Sequence, residues 1–370
     1  MPGTDPAEAM RVVAGELPDF PYLPELPDRG PGADLTGRTT ALLIDIPAEV
    51  TLRGWRLADR PGRDLARAKS MLSHDLDVLE EVLDGFRGPL KIQLCGPWTL
   101  AATLELPYTM NVALSDPGAV ADLTASLAEG AAAHVAELAK RVPGAQLVVQ
   151  IDEPALPAVT EGGIPTASGL SRLAVVEEDT LRSGLAQVLA AIRGYTVVHC
   201  CATAVPFGVI RAAGADAISF DLSQLRRGEE DAVGEAAEAG MGLLTGAIPT
   251  VPDEAEADRG AGGGNRASGA GVGGGRGDQR GAGGGRGVGD RVGGANRPGE
   301  ASGARETAER VIRLWRRLGL PLATCAEQAV ITPGCGLAGA APDQARAALT
   351  QCREAASMLP ELIEETGGRA

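Results

Sequence analysis

The sequence contains no run of eighteen or more apolar residues, which leaves it without a candidate membrane-spanning helix. Its opening, Met1-Pro2-Gly3-Thr4-Asp5, has no basic stretch ahead of an apolar one, so no secretory signal is expected. Positive charge is short: 34 Lys and Arg face 49 Asp and Glu, a net of −15. That balance argues against a fold-wide nucleic-acid surface, because phosphates demand basic patches. Cysteine is scarce too; six in 370 residues are too few for a disulfide scaffold. Cys200 and Cys201 stand side by side in a run that reads as a buried strand. The expectation is reduced thiols in a cytoplasmic protein, open to thiolate chemistry or metal binding. What the chain does have is 44% hydrophobic residues, enough for a large core in one domain or two.

One stretch departs from this composition. Gly260–Gly303 holds 20 glycines in 44 residues and no Leu, Ile, Phe, Tyr or Trp. Such a segment buries too little apolar surface to offset its ordering entropy, so it is predicted to be a disordered insert. Six arginines against two aspartates and one glutamate make it +3, so the rest of the chain carries −18. An Arg-Gly nucleic-acid tether would interleave aromatic residues for base stacking, and none is there. An expanded loop fits better, because long loops add little closure entropy.

Outside the insert, short β-rich runs alternate with longer amphipathic stretches. Strands are predicted at Thr40–Ile46, Leu90–Leu94, Gln146–Ile151, Thr196–Cys200, Ala217–Phe220, Gly242–Ile248 and Ala329–Thr332. Helices are predicted at Asp64–Phe86, Asp116–Lys140, Glu178–Ile192, Val205–Ala213, Glu229–Ala239, Ala304–Leu318 and Pro342–Met358. Near-continuous apolar strands alternating with helices mean a parallel sheet covered by helices. A doubly wound sheet would place a Gly-rich phosphate loop after its first strand, and none appears. The prediction is therefore an α/β fold of the (β/α)8 TIM-barrel type, one catalytic-type barrel made of residues 1–259 and 304–370. Seven strands are found; the eighth is missing or lies near one end.

Unusual polar residues gather at the carboxyl ends of these strands, where barrels assemble active sites. Asp152 and Glu153 follow Val148-Val149-Gln150-Ile151, and His199 and Cys201 close Val197-Val198. Asp221 follows Ala217–Phe220, and Cys335 follows Val330-Ile331-Thr332. Side chains alternate along a strand, so His199 and Cys201 share a face while Cys200 turns toward the helices. With Cys335 and one carboxylate, this pair makes an N/S2/O donor set suited to tetrahedral Zn2+. The alternative is that the cysteines are small buried hydrophobes and His199 a satisfied core imidazole. His74, His134, Cys325 and Cys352 read as structural.

Several segments resemble a known family: Gln150-Ile-Asp-Glu-Pro-Ala-Leu156, Val198-His-Cys-Cys201, Asp216-Ala-Ile-Ser-Phe-Asp221, Thr332-Pro-Gly-Cys-Gly-Leu337 and Lys91-Ile-Gln-Leu-Cys-Gly-Pro-Trp-Thr99. They look like the catalytic zinc barrel of cobalamin-independent methionine synthase, in the right order over residues 88 to 340. The resemblance implies a zinc held by His199, Cys201, Asp221 and Cys335, with Asp152 receiving the substrate's amino group. It implies a methyl transfer to a thiol such as homocysteine, from methyl-folate or a corrinoid protein.

The chain also departs from the family's pattern. Asp221 stands where the family usually has the longer Glu, and Ala158 where it has an acidic folate contact. Thr103 replaces a Trp, the proton-donating His after Gly242–Ile248 is absent, and so is the family's first-strand motif. The family's full-length enzyme has a second barrel, for which this chain has no room. The zinc and amino-acid features are thus retained while the folate features are eroded. Three functions follow: a zinc-dependent thiol methyltransferase, a zinc-free barrel enzyme of the uroporphyrinogen decarboxylase type, or a non-catalytic zinc-binding relative.

Overall fold

The computed structural model describes residues 1–250 and 298–367. A short antiparallel hairpin, β1 (Ala48–Thr51) and β2 (Gly54–Leu57), precedes the main sheet. The main sheet has six parallel strands in sequence order: β3 (Gly88–Cys95), β4 (Ala145–Asp152), β5 (Tyr195–Cys200), β6 (Ala217–Asp221), β7 (Gly242–Ile248) and β8 (Ala329–Pro333). Residues 21–23 extend it beyond β3 with a parallel bridge from Tyr22 to Lys91. Lys91 N–H donates to the Pro21 carbonyl at 3.0 Å, and Leu23 N–H to the Lys91 carbonyl at 2.9 Å. This short segment near the N-terminus is the additional strand position that the sequence left unplaced.

Helices α1 (Pro6–Glu16), α2 (Leu35–Thr40) and α3 (Arg63–Val82) precede β3. Between later strands run α4 (Pro97–Thr103), α5 (Pro117–Arg141), α6 (Leu156–Thr160), α7 (Glu178–Ala191), α8 (Phe207–Ala212) and α9 (Glu230–Glu238). After these come α10 (Pro298–Arg317), α11 (Leu322–Gln328) and the closing α12 (Pro342–Gly367). Local chemistry sets the ends. Asp116 caps α5 by accepting from the Gly118 and Ala119 N–H groups, and Pro117 fills the first helical position, where no N–H is needed. Along α3, Leu65, Ala68, Leu72, Leu76 and Leu79 form the buried stripe. Each buried leucine contributes about 1.5–3 kcal/mol.

Alternation along the strands divides the core in two. Val149, Ile151, Val198, Ile218 and Leu243 face outward into the large cluster shared with the helices. Val148, Val197, Ala217 and Leu244 form a separate apolar cluster with Phe20 and Val330. These residues sit on successive strands with the opposite parity, so they line the concave side of the curled sheet, as in a TIM-type barrel. The polar residues of interest stand above this layer, toward the strands' carboxyl ends.

Six of the seven predicted strands are present. Thr40–Ile46 is not a strand: Thr40 ends α2, and a turn follows it. The cap decides this, because Asp34 accepts from the Gly37 N–H, while the Thr39 and Thr40 hydroxyls bond back to the Leu35 and Gly37 carbonyls. Arg38 and Arg29 also meet the buried carboxylate of Asp75 on α3, holding the segment against that helix. Most of the Gly-rich segment lies outside the described residues. Its last six, 298–303, open α10, so this helix starts before the expected Ala304. Among the described residues, no helix is long and apolar enough to cross a membrane.

Candidate metal centre and amino-group site

The parallel register sets the site's polar residues abreast: Asp152 of β4 lies opposite His199 of β5, and His199 opposite Ser219 of β6. His199 Nδ1 is 2.9 Å from Ser219 Oγ, which fixes the ring and leaves Nε2 available. Cys201 follows β5 on the same face as His199, and Cys335 follows β8. Ligand atoms of His199, Cys201 and Cys335 all lie within 4.8 Å of one another, and the two sulfurs are 3.3 Å apart. Cys200 is fully buried, and alternation puts it on the face opposite to His199 and Cys201. Cys335 ionises below the usual thiol range, because the Cys201 thiol and His199 stabilise its thiolate by hydrogen bonds.

Two glycines make this convergence possible. A Cβ on Gly246 of β7 would come 2.5 Å from Gly334 Cα and 2.9 Å from the Phe220 carbonyl. A Cβ on Gly334 would come 2.9 Å from the Asp221 carboxylate. Their bare backbones let the Cys335 loop lie directly on β6 and β7, and the Gly334 N–H donates to the Ile248 carbonyl at 2.9 Å.

Asp221 is at the end of β6, beside this group but outside it. Its Oδ1 accepts from the Ser223 N–H at 2.8 Å and from the Ser223 hydroxyl at 2.7 Å. It lines a groove with Ser223, Pro249, Arg310, Arg313 and Arg317. Of the four expected ligands, the structure brings three together.

Asp152 is buried, and burial raises its pKa against the opposing pull of His199, Lys91 and Gln150. Its Oδ1 accepts from Gln150 Nε2 at 2.7 Å. Among the described residues, no protein donor meets Oδ2. The neighbouring Glu153 turns the other way and is fully buried. It accepts from Trp98 N–H at 2.9 Å, Thr99 N–H at 2.8 Å and Thr99 Oγ–H at 2.7 Å, and so caps α4 from another strand. Burial still pushes its carboxyl up to about 7. Gly96 has no space for a side chain, since its Cβ would overlap Glu153.

Thr103 and Ala158, two positions of departure, lie on α4 and α6, the helices that follow β3 and β4. His134 is buried in α5, which pushes its pKa down to about 4. The sequence reading missed Ser219 as the His199 partner and Gln150 as the Asp152 partner. Strand parity alone could have found both, since each shares its neighbour's face.

The sequence matches the family model of the cobalamin-independent synthase catalytic domain over residues 100–259. That range includes Asp152, His199, Cys201 and Asp221, and ends before Cys335. No curated protein matches the chain. Among the solved structures, 33 chains match. One is a B12-independent methionine synthase from Shewanella sp. W3-18-1 in complex with selenomethionine, with a TM-score of 0.55 and 12% identity. The alignment covers 97% of this chain and 89% of that one, and at this identity it establishes the shared fold. The family match spans β4 to β7 and the structural match runs nearly end to end, so part of the chain is similar to the cobalamin-independent synthase catalytic domain and the whole shares the fold of that solved structure.

Proposed function

We propose that this protein is a zinc-dependent methyltransferase that methylates a thiol such as homocysteine. The observation that carries the reading is the convergence of His199, Cys201 and Cys335 within 4.8 Å. Their chemistry fits zinc: one imidazole and two sulfurs, with a sulfur separation of 3.3 Å against about 3.8 Å across a tetrahedron with zinc–sulfur bonds near 2.3 Å. Three such ligands leave a position for a substrate, the pattern of catalytic zinc sites. Without substrate, Asp221 would complete the shell by releasing Ser223, and it would give up that position to the substrate thiol. A zinc ion bound there supplies Lewis acidity that favours the thiolate form of a coordinated substrate thiol.

The chain's own residues do the rest. Ser219 holds the His199 ring in one orientation. Asp152 offers its free Oδ2 to the substrate's ammonium, which places the sulfur toward the His199–Cys201–Cys335 group. In the transfer, the substrate sulfur, having lost its proton, forms a bond to the methyl carbon. The methyl–donor bond breaks, and its electron pair leaves with the donor.

The donor proposed is other than methyl-folate, a methylated corrinoid protein being the model, because Ala158 and Thr103 lack the acidic and aromatic groups of the folate site. Six unpaired cysteines suit a reducing compartment such as the cytoplasm. One barrel interrupted by the 260–303 insert completes the proposed organisation. The test is metal stoichiometry on the purified protein, followed by methyl transfer to homocysteine from methyl-tetrahydrofolate and from a methylated corrinoid. One zinc per chain with corrinoid-supported turnover is expected. Absence of bound metal favours the decarboxylase-type reading; zinc without transfer from any donor favours a non-catalytic relative.

A further inference from the structure

Below Asp152, the concave face of the sheet holds a row of polar side chains that the proposed chemistry does not use. Lys91 and Gln93 of β3 and Gln150 of β4 share the parity of the inner apolar layer, and Gln93 lies opposite Gln150 in the register. Lys91 Nζ donates to Gln93 Oε1 at 3.2 Å and to Gln150 Oε1 at 3.3 Å, and it lies 5.4 Å from the centre of the Tyr22 ring. Gln93 Nε2 donates to the Leu23 carbonyl at 2.7 Å, and Gln150 Nε2 to Asp152 Oδ1 at 2.7 Å. Glu25 and Asp152 are the carboxylates whose charges reach Lys91, and they offset part of the cost of its burial.

An ammonium group has donors only, so both amides must turn their oxygens toward it. That fixes the opposite end of each amide. The Gln150 amide can then only donate to Asp152. Without Lys91 the Gln150 carbonyl loses its donor, the side chain is no longer anchored at that end, and its amide can swing away from Asp152.

We propose that Lys91 is a positioning residue for amino-group recognition: through Gln150 it holds Oδ1 of Asp152, which leaves Oδ2 free to receive the ammonium of an amino-acid thiol. The inference rests on Asp152 being the amino-group site. It predicts that the preference for a thiol carrying an α-amino group over one that lacks it depends on Lys91.

The experiment is calorimetric binding of homocysteine and of 4-mercaptobutyrate, its analogue without the amino group, to the zinc-loaded protein. Wild type is expected to prefer homocysteine. Lys91→Met should reduce that preference by about tenfold, the effect of one misplaced charge-assisted hydrogen bond. Affinity for 4-mercaptobutyrate and zinc content should not change. Gln150→Met should reproduce the loss, and the double variant should be no worse than either single one, because all three break one chain of contacts. Lys91→Arg should recover most of the preference. If Lys91→Met does not fold, Gln150→Met reads the same link. Equal weakening of both thiols, or an unchanged preference in the variants, overturns the proposal. A wild type without preference would instead remove the Asp152 reading on which it rests.

Discussion

Glu153 links the fold to the site. It closes the N-terminus of α4 from the end of β4 and separates Asp152 from the helical layer. Replacing it with Ala leaves the buried Trp98 and Thr99 N–H groups without an acceptor and opens a cavity. Each orphaned donor costs about 1–3 kcal/mol, so the expected loss is about 3–5 kcal/mol. Glu153→Gln keeps the shape and one acceptor, and should cost about 1–3 kcal/mol at pH 5. The pH dependence is more telling. Burial lifts this carboxyl from 4.5 to about 7 in the folded protein. The folded state therefore binds the proton more tightly than the unfolded chain does. The stabilisation contributed by this group is complete below pH 4.5 and is lost as pH rises through 7, by about 3 kcal/mol. The Gln variant has no such titration. The gap between wild type and Glu153→Gln should thus shrink from pH 5 to pH 8 and close or reverse. Urea unfolding midpoints of both proteins at each pH, with a chelator present, measure this directly. A gap that widens with pH would show that the α4 donors hold Glu153 ionised, and the reasoning would fail.

Cys201→Ser and Cys335→Ser should each abolish retention of zinc through desalting, whereas Cys200→Ser should retain it at a stability cost of about 1 kcal/mol; metal loss from Cys200→Ser with retention by Cys201→Ser would reverse the assigned faces. Gly246→Ala should push the Gly334–Cys335 loop off β7, lowering zinc affinity at least about tenfold in chelator competition at a stability cost of about 1–3 kcal/mol; unchanged affinity would show that the loop can shift freely. Removing residues 260–297 should leave zinc content and thermal midpoint unchanged, since no large apolar side chain is lost. The cut stops there because the Gly303 carbonyl accepts from Thr307 and Gln351. A clear loss of either property would show that the segment docks on the barrel.

The parallel strands were legible because each is a short, nearly continuous apolar run followed by an amphipathic helix. Thr40–Ile46 has similar composition, but a cap at Asp34 and the buried Asp75 carboxylate govern it, and the second of these is a contact across 37 residues. The hairpin Ala48–Leu57 is too short and too polar to announce itself. At the site, a period of two was enough to separate Cys200 from His199 and Cys201. The proximity of Cys335 depends on Gly246 and Gly334 letting β7 and the last loop touch, which no local pattern encodes. The orientation of Asp221 depends on Ser223, two residues away, competing for its carboxylate. Likewise, the Lys91–Gln150–Asp152 chain exists only in the β3–β4 register.

The central claim is that His199, Cys201 and Cys335 present a zinc ion to an amino-acid thiol. X-ray absorption at the zinc edge, with and without homocysteine, addresses it most directly. The account predicts a first shell of nitrogen and two sulfurs, with oxygen or nitrogen completing it, that gains a third sulfur when homocysteine is added. A shell that does not change with homocysteine, or a protein that binds no zinc, would contradict it.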